Sequence, residues 1–197
     1  ERTDLEIDIG NWVINEALSH LATCHQQGIK ADISVNISSY HLLSETFLTE
    51  LETALNSHPS VNPQSLELEI LESSALGDLH AVTTVIKACR SNLGITIALD
   101  DFGTGYSSLT HLRNLPANTI KIDRSFVRDM INDPSDFAII DSIIGMADSF
   151  GREIIAEGVE NTAHGLMLII MGCHKAQGYG IAKPMPIDEF IPWLKAY

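Results

Sequence analysis

The chain has 197 residues, 45% of them hydrophobic, and a formal charge of −14. This length suffices for a substantial core, so residues 1–197 are predicted to form one domain. The negative charge argues against a nucleic-acid polymer as a partner, because phosphate binding needs clustered Lys and Arg. The longest apolar run, 166–171, is far below the roughly 18 residues of a membrane-spanning helix. The acidic residues 1–8 do not resemble a secretory signal. We expect a cytoplasmic domain without membrane contact of its own, which a segment upstream can tether.

Short β-rich runs alternate along the chain with longer stretches whose apolar residues recur every three or four positions. In chain order the pattern predicts helix 9–27, strand 33–37, helix 42–55, strand 66–71, helix 79–91, strand 94–99, strand 119–122, helix 136–150, strand 153–156, helix 161–171, strand 174–179 and helix 187–196. Six strands are therefore expected. Repeated strand-helix units with apolar strands are typical of a parallel sheet covered by helices, either a closed barrel or a doubly wound open sheet.

Unusual polar residues lie at or just after the end of each apolar strand. They are Asn36, Glu69, Asp100, Asp101, Lys121, Glu157 and Gln177. Because the carboxyl ends of the strands in a parallel α/β barrel open on one face, these side chains are expected to converge. Carboxylate and carboxamide oxygens suit Mg²⁺ or Mn²⁺ rather than zinc. The pattern predicts a site for displacement at phosphorus, in which Asp100 and Asp101 hold two cations and Lys121 stabilises phosphate charge.

Each of these residues has a simpler explanation when it is taken alone. Asn36 can cap the helix that follows it. Glu69 and Glu72 can be exposed charges, and 100–103 can form a turn for which Asp and Gly are used. The joint placement at six strand ends favours one common site over six separate coincidences.

The segment 100–109, Asp-Asp-Phe-Gly-Thr-Gly-Tyr-Ser-Ser-Leu, resembles the most distinctive signature of EAL domains. Further blocks look like the family's other motifs, in the family's order: 34–38, 68–73, 120–123, 156–160 and 177–179. The resemblance covers essentially the whole chain. It implies a modified (β/α)₈ TIM-like barrel that binds cyclic di-GMP and two Mg²⁺ or Mn²⁺ ions, and that hydrolyses the cyclic dinucleotide to linear pGpG.

The resemblance also implies roles for individual residues. The implied metal ligands are Asn36, Glu69, Asp100, Asp101 and Glu157. The implied catalytic residues are Lys121, Glu157 and Gln177, and the implied substrate contacts are Asn36, Asp123, Glu160 and Gln177. Glu72 is implied as the anchor of the loop from Asp101 to Leu109, where Gly103 and Gly105 allow motion. Dimerisation often couples to activity through that loop in the family, so a homodimer is expected. An upstream sensor or GGDEF-type domain is compatible with the resemblance.

The chain departs from the family at its beginning. It starts where the family has already passed its first strand, so the expectation is an N-terminally truncated barrel that lacks this strand. The Glu-Ala-Leu motif, whose glutamate is a metal ligand, and an arginine that contacts substrate phosphate belong to the missing block. Glu16-Ala17-Leu18 lies in a predicted helix and is interpreted as a coincidence. We therefore expect an active parent phosphodiesterase but weak or no catalysis from these residues alone.

Three other functions compete with this interpretation. The first is a non-catalytic cyclic di-GMP receptor, which usually loses metal ligands. The ligand positions in the visible chain are intact, which favours an enzyme. The second is a metal-dependent barrel hydrolase for another phosphodiester, which the length of the 100–109 match disfavours. The third is a purely structural domain, which does not need acidic residues at the strand ends.

Overall fold

The computed structural model describes residues 4–73, 78–104 and 109–196, apart from the side chains of 109–111. The strands in these ranges are β1 (Ile33–Asn36), β2 (Leu66–Leu71), β3 (Thr96–Phe102), β4 (Thr119–Ile122) and β5 (Glu153–Ala156). The α-helices are α1 (Asp4–Gln26), α2 (Ser39–Leu42), α3 (Phe47–Ser57), α4 (Leu79–Ala88), α5 (Leu109–Asn114), α6 (Arg124–Asp129), α7 (Pro134–Ser149), α8 (Thr162–Met171) and α9 (Ile187–Ala196). Within the same ranges, no helix is long and apolar enough to cross a membrane.

The five strands form one parallel sheet in the order β1-β2-β3-β4-β5. Successive side chains of a strand point to opposite faces. In β2 this alternation directs Leu66, Leu68 and Ile70, all 0% exposed, to the face that forms the core. Glu67 and Glu69 lie on the other face. The α/β class predicted from the alternating pattern is confirmed, and one face of the sheet collects the polar residues.

The prediction of a sixth strand over 174–179 is wrong. Only Ala176 pairs with the sheet, through an isolated bridge to Ala156. The chain then turns, because the backbone amide of Ile181 donates a hydrogen bond to the Gly178 carbonyl at 3.0 Å. A β-rich sequence run therefore ends in a turn after a single paired residue.

The helices also differ in detail from the prediction. The helix predicted over 42–55 is divided into α2 and α3, because a turn at 43–46 interrupts it. The short helices α5 and α6 were not predicted, since six residues are too few to show helical periodicity. The tripeptide Glu16-Ala17-Leu18 lies inside α1, as predicted, and Ala17 and Leu18 are buried.

Helix α1 approaches α2 closely at Gly10. The side chain of His41 is 1% exposed, and its ring packs edge-on against Phe47 with 5.0 Å between centroids. Its Nε2 lies 3.1 Å from Asn11 Oδ1. Burial lowers the pKa of His41, and the coulombic effects of Glu50 and Glu6 only partly oppose this shift. A Cβ added at Gly10 would lie 2.2 Å from His41 Nδ1.

Gly10→Ala should therefore destabilise the fold, although alanine is the better helix former. We expect a loss of about 1–3 kcal/mol, typical of overpacking a filled core, measured by urea denaturation. Gly145→Ala in α7 is the matched control, because no atom lies within 4 Å of its added Cβ. The control should be neutral or stabilising by about 0.5–1 kcal/mol. Equal effects of the two substitutions would contradict the close contact at Gly10.

Candidate functional site

Lys121 lies at the centre of the polar face. Its side chain is 3% exposed, and its Nζ lies 2.8 Å from Glu69 Oε1, 3.1 Å from Asp100 Oδ1 and 2.5 Å from Glu157 Oε1. These carboxylates come from β2, from β3 and from the residue that follows β5. The structure therefore brings together four residues that are far apart in sequence, at the strand ends where the pattern predicted convergence.

A second polar layer lies one side-chain repeat below this cluster. Glu67 accepts a hydrogen bond from Thr119 Oγ1 at 2.6 Å and another from Ser34 Oγ at 3.1 Å. Glu67 and Glu69 are two residues apart in β2 and so share a face. The layer connects β1, β2 and β4 through side chains and supports the floor beneath Lys121.

A bulge in β3 allows Asp100 and Asp101 to serve the same site. In a regular strand two adjacent side chains would point to opposite faces. The register between β3 and β4 shifts by one residue between Leu99 and Phe102, and Asp101 has a φ of 53°. A positive φ is uncommon for residues other than glycine, and aspartate is among those that tolerate it. The extra residue changes the direction of the side chains, so that the carboxylates of both Asp100 and Asp101 reach the cluster.

The ionisation of the cluster reflects burial and crowded charges. Burial by itself lowers the pKa of Lys121, but hydrogen bonds to Glu157 and Glu69 outweigh it, so the pKa lies above the ordinary value. Burial raises the pKa of Glu157, and repulsion from Asp100 and Glu69 adds to this against the attraction of Lys121. Burial also raises the pKa of Asp101, with Asp100 adding to the shift. Lys121 therefore stays protonated, and the surrounding carboxylates share its positive charge.

The residues present fit divalent cations. Asp100, Asp101 and Glu157 each offer an oxygen, and these oxygens lie within 4.8 Å of one another. Asp100 Oδ1 is buried and has no hydrogen-bond partner among the described residues, because the contact to Lys121 at 3.1 Å lacks hydrogen-bond geometry. With Glu69 the site holds four carboxylates, three of them in contact with the single ammonium of Lys121, which leaves a formal charge of −3 when all are ionised. Hard oxygen ligands with uncompensated charge are what Mg²⁺ or Mn²⁺ requires.

The remaining predicted ligand, Asn36, lies at the edge of this group. It is the register partner of Glu69 in the pairing of β1 with β2, and it is exposed. Glu69 itself faces Lys121. Asn36 therefore lies beside Glu69 on the neighbouring strand, at the edge of the cluster that is farthest from Glu157.

The segment 175–180 runs tightly against the residues that follow β5. Gln177 Nε2 donates to Glu157 Oε1 at 2.5 Å, and Val159 exchanges backbone hydrogen bonds with Gln177 and Gly180 at 3.0 and 2.8 Å. A Cβ at Gly178 would lie 2.3 Å from the backbone of Val159. Glycine is therefore required for Gln177 to approach Glu157, which explains why a glycine follows it.

The other predicted residues lie around the cluster. Glu72 is buried, and its Oε2 accepts a hydrogen bond from the Gly103 amide at 3.0 Å, at the start of the loop it was predicted to anchor. Residues 105–108 of that loop, with Gly105, lie outside the described residues. Asp123 caps α6 by accepting from the Ser125 amide at 2.9 Å. Glu160 is exposed and lines a cavity next to Glu157.

Arg124 and Gly158 are features of the site that sequence reasoning missed. A Cβ at Gly158, whose φ is 68°, would lie 2.5 Å from Arg124 Cβ. The glycine after Glu157 therefore permits the start of α6 to pack against the site. The available signal was the repeated pair of a polar residue and glycine, at Glu157-Gly158 and Gln177-Gly178.

Comparisons with known proteins agree on one family. The family model described as "EAL domain" matches residues 1–184. The chain is 36% identical over 195 residues to cyclic di-GMP phosphodiesterase PA2567 of Pseudomonas aeruginosa, covering 99% of this chain and 33% of that protein. It is 37% identical over 193 residues to the bifunctional diguanylate cyclase/cyclic di-GMP phosphodiesterase MucR of the same organism, covering 97% and 28%.

A solved structure, the PaMucR phosphodiesterase in its c-di-GMP complex, is similar with a TM-score of 0.89 at 36% identity. The match covers 94% of this chain and 75% of that one. The chain spans about a quarter to a third of the length of the curated relatives it matches.

The geometry around Lys121 predicts a large effect of removing its charge. Lys121→Met leaves three carboxylates near one another without their buried cation, so the free energy of unfolding in a chelating buffer should fall by about 3–5 kcal/mol. Lys175→Met is the matched control. Lys175 also pairs with a glutamate, Glu153, at 2.6 Å, but both side chains are more than half exposed, and such pairs contribute about 0–1 kcal/mol.

Urea denaturation of the two variants measures this difference. Addition of Mg²⁺ should restore part of the stability of Lys121→Met, because a divalent cation compensates the same carboxylates. Losses of equal size for the two lysines would show that Lys121 is not the charge on which the cluster depends.

Proposed function

The chain belongs to the EAL domain family, and we propose that it binds cyclic di-GMP and hydrolyses it to linear pGpG in the presence of Mg²⁺ or Mn²⁺. The observation that carries the proposal is the cluster of Glu69, Asp100, Asp101 and Glu157 around Lys121. Hydrolysis adds water across one phosphodiester bond. The water oxygen bonds to phosphorus, and the ribose oxygen leaves with a proton.

We propose that the carboxylates and Asn36 hold two divalent ions. Asp100 would hold the ions together with Glu69 on one side and the pair of Asp101 and Glu157 on the other, because it lies between them. When bound, the cations supply a nucleophilic water at neutral pH and neutralise charge on the phosphate. This agrees with the acidic composition of the chain, since carboxylates alone repel a phosphodiester.

The chain's own groups orient and exclude water around the reacting phosphate. The Lys121 ammonium donates hydrogen bonds within a ring of carboxylates, so it is held at a defined position and can orient water or stabilise phosphate charge. Gln177 donates a hydrogen bond to Glu157, so its carboxamide lies beside the cluster. Asp123 and Glu160 are proposed substrate contacts at the margin. Glu72 is proposed to anchor the loop that begins at Gly103.

Further properties of the parent protein are part of the same proposal. We propose that residues 1–197 act as one cytoplasmic domain, that two copies form a homodimer, and that a sensor or GGDEF-type domain lies elsewhere in the polypeptide. The bifunctional name of one relative supports the last point. Analytical ultracentrifugation tests the homodimer, and a mass equal to one chain at all concentrations would contradict it.

Turnover of cyclic di-GMP with Mn²⁺ or Mg²⁺, measured by chromatography of pGpG, tests the proposed activity. Asp101→Asn should lower turnover by at least about 100-fold, since even residues that only orient metal ligands change affinity or activity by about 10- to 100-fold. Asp148→Asn is the control, because Asp148 is an exposed aspartate at the end of α7. Asp148→Asn should leave turnover unchanged. A chelator should abolish turnover, because the reaction needs the metal ions.

The outcomes separate the competing functions. Nucleotide binding without turnover, in this chain and also in a version extended upstream by the missing strand, would favour a receptor. Turnover that is insensitive to Asp101→Asn would contradict the assigned ligands. The expectation that residues 1–197 alone catalyse weakly or not at all stays a prediction, which the same assay measures.

A further inference from the structure

Helix α8 has an unusual composition for a helix at the surface of this chain. Its sequence, Thr-Ala-His-Gly-Leu-Met-Leu-Ile-Ile-Met, contains no Asp, Glu, Lys or Arg, although these residues make up 19% of the chain. Among the described α-helices of ten or more residues, α8 alone lacks them. A surface helix normally exposes charged or polar side chains opposite its buried stripe. Helix α8 therefore departs from the pattern of a helix that stays in contact with water.

The side chains of α8 fall into a buried face and an exposed apolar face. His164 and Leu168 are 6% and 1% exposed. Leu166, Ile169 and Ile170 are 56%, 54% and 79% exposed, and their spacing of three and four residues places them in one stripe, the α8 stripe. Ile170 is the most exposed large hydrophobic residue in the described ranges. A helix that is hydrophobic on all sides is normally buried, so we expect the α8 stripe to be covered.

A groove of about 460 Å³ lies beside the α8 stripe. The larger apolar residues that line it are Val159, Leu166, Leu168, Ile169, Cys173 and Ile181. Gly165 also lines the groove, and a Cβ added there would have no atom within 4 Å. Ile170 projects next to the groove without lining it. The same surface therefore carries an apolar ridge at Ile170 and an apolar groove beside it.

A surface that holds a ridge and a groove of the same chemistry is complementary to itself. When two copies are related by a two-fold axis across α8, Ile170 of each copy meets the groove of the other, which is an isologous interface. The charge of the chain supports the same arrangement. Two copies with a formal charge of −14 repel each other, and α8 offers a helix without acidic residues at which they can approach.

The residues of α8 disfavour a lipid surface as the alternative occupant. Helices that lie on membranes combine an apolar face with Lys and Arg residues that attract anionic headgroups. Helix α8 has no such residue. Lys175, which follows it closely, is paired with Glu153 at 2.6 Å. The apolar face of α8 therefore lacks the positive charge that a membrane helix uses.

We propose that two copies of the chain associate through α8, with Ile170 of each copy inserted into the groove of the other. The inference rests on the homodimer that is part of the proposed function, and it names the surface of that dimer. The exposed apolar area is roughly a few hundred Å², the size that marks an interaction site on a monomer. This area is below the roughly 800 Å² per partner of a standard interface, so the dimer is weak and depends on concentration.

Sedimentation velocity in a chelating buffer without nucleotide measures the association independently of metal binding and hydrolysis. The mass should change from one chain to two as the protein concentration rises. Ile170→Lys should raise the dissociation constant of the dimer at least about tenfold, the effect of losing a central interface residue. Ile9→Lys is the matched control, because Ile9 is a helical isoleucine on α1 and is 53% exposed. Ile9→Lys should leave the dissociation constant unchanged.

A mixture of two variants tests the insertion of the ridge into the groove. Gly165→Glu places a carboxylate in the groove, and the open space at Gly165 allows the variant to fold, which far-UV circular dichroism checks. Gly165→Glu alone should associate more weakly than the unmodified chain. An equimolar mixture of Gly165→Glu and Ile170→Lys should associate more tightly than either variant alone at the same total concentration. The reason is that the introduced lysine of one copy then meets the introduced glutamate of the other.

The outcomes separate this surface from the homodimer and from the activity. A dimer that Ile170→Lys weakens no more than Ile9→Lys would overturn α8 as the interface and leave the homodimer in place. A mass of one chain at all concentrations would overturn both. A mixture that associates no better than the single variants would overturn the insertion of Ile170 into the groove. Binding to vesicles of anionic phospholipid without self-association would assign α8 to a lipid surface instead. Turnover of cyclic di-GMP is decided separately, by Asp101→Asn.

Discussion

The site depends on one buried ammonium shared by three carboxylates. Lys121 is almost inaccessible to solvent, and the groups that surround it belong to three different structural elements. An unpaired charge in such a place would be strongly destabilising, so the lysine and the carboxylates require one another. Their mutual dependence fixes the relative positions of the ends of β2, β3 and β4 and of the residue after β5. The carboxylates around Lys121 can therefore form a compact group of ligands, and their remaining negative charge is available to divalent cations.

Backbone irregularities give the site its shape. The bulge in β3, with Asp101 at positive φ, turns two adjacent carboxylates toward one region. Gly158 and Gly178 remove side chains where Arg124 and Val159 pack against the backbone. A regular strand or a larger residue at these positions would separate groups that must lie within a few ångströms. These irregular positions lie next to the cluster, as expected where function constrains the backbone.

The sequence by itself determined the alternation of strands and helices and the placement of polar residues at strand ends, because side-chain periodicity is a local property of the chain. It also carried the resemblance to the EAL family that the comparisons established. The tertiary structure alone decided which carboxylates share Lys121, how Asp101 reaches the side of Asp100, and why 174–179 turns away after one paired residue. It also placed Arg124 and Trp193 around one cavity. These features depend on strand register and on contacts between residues far apart in sequence, which no local pattern records.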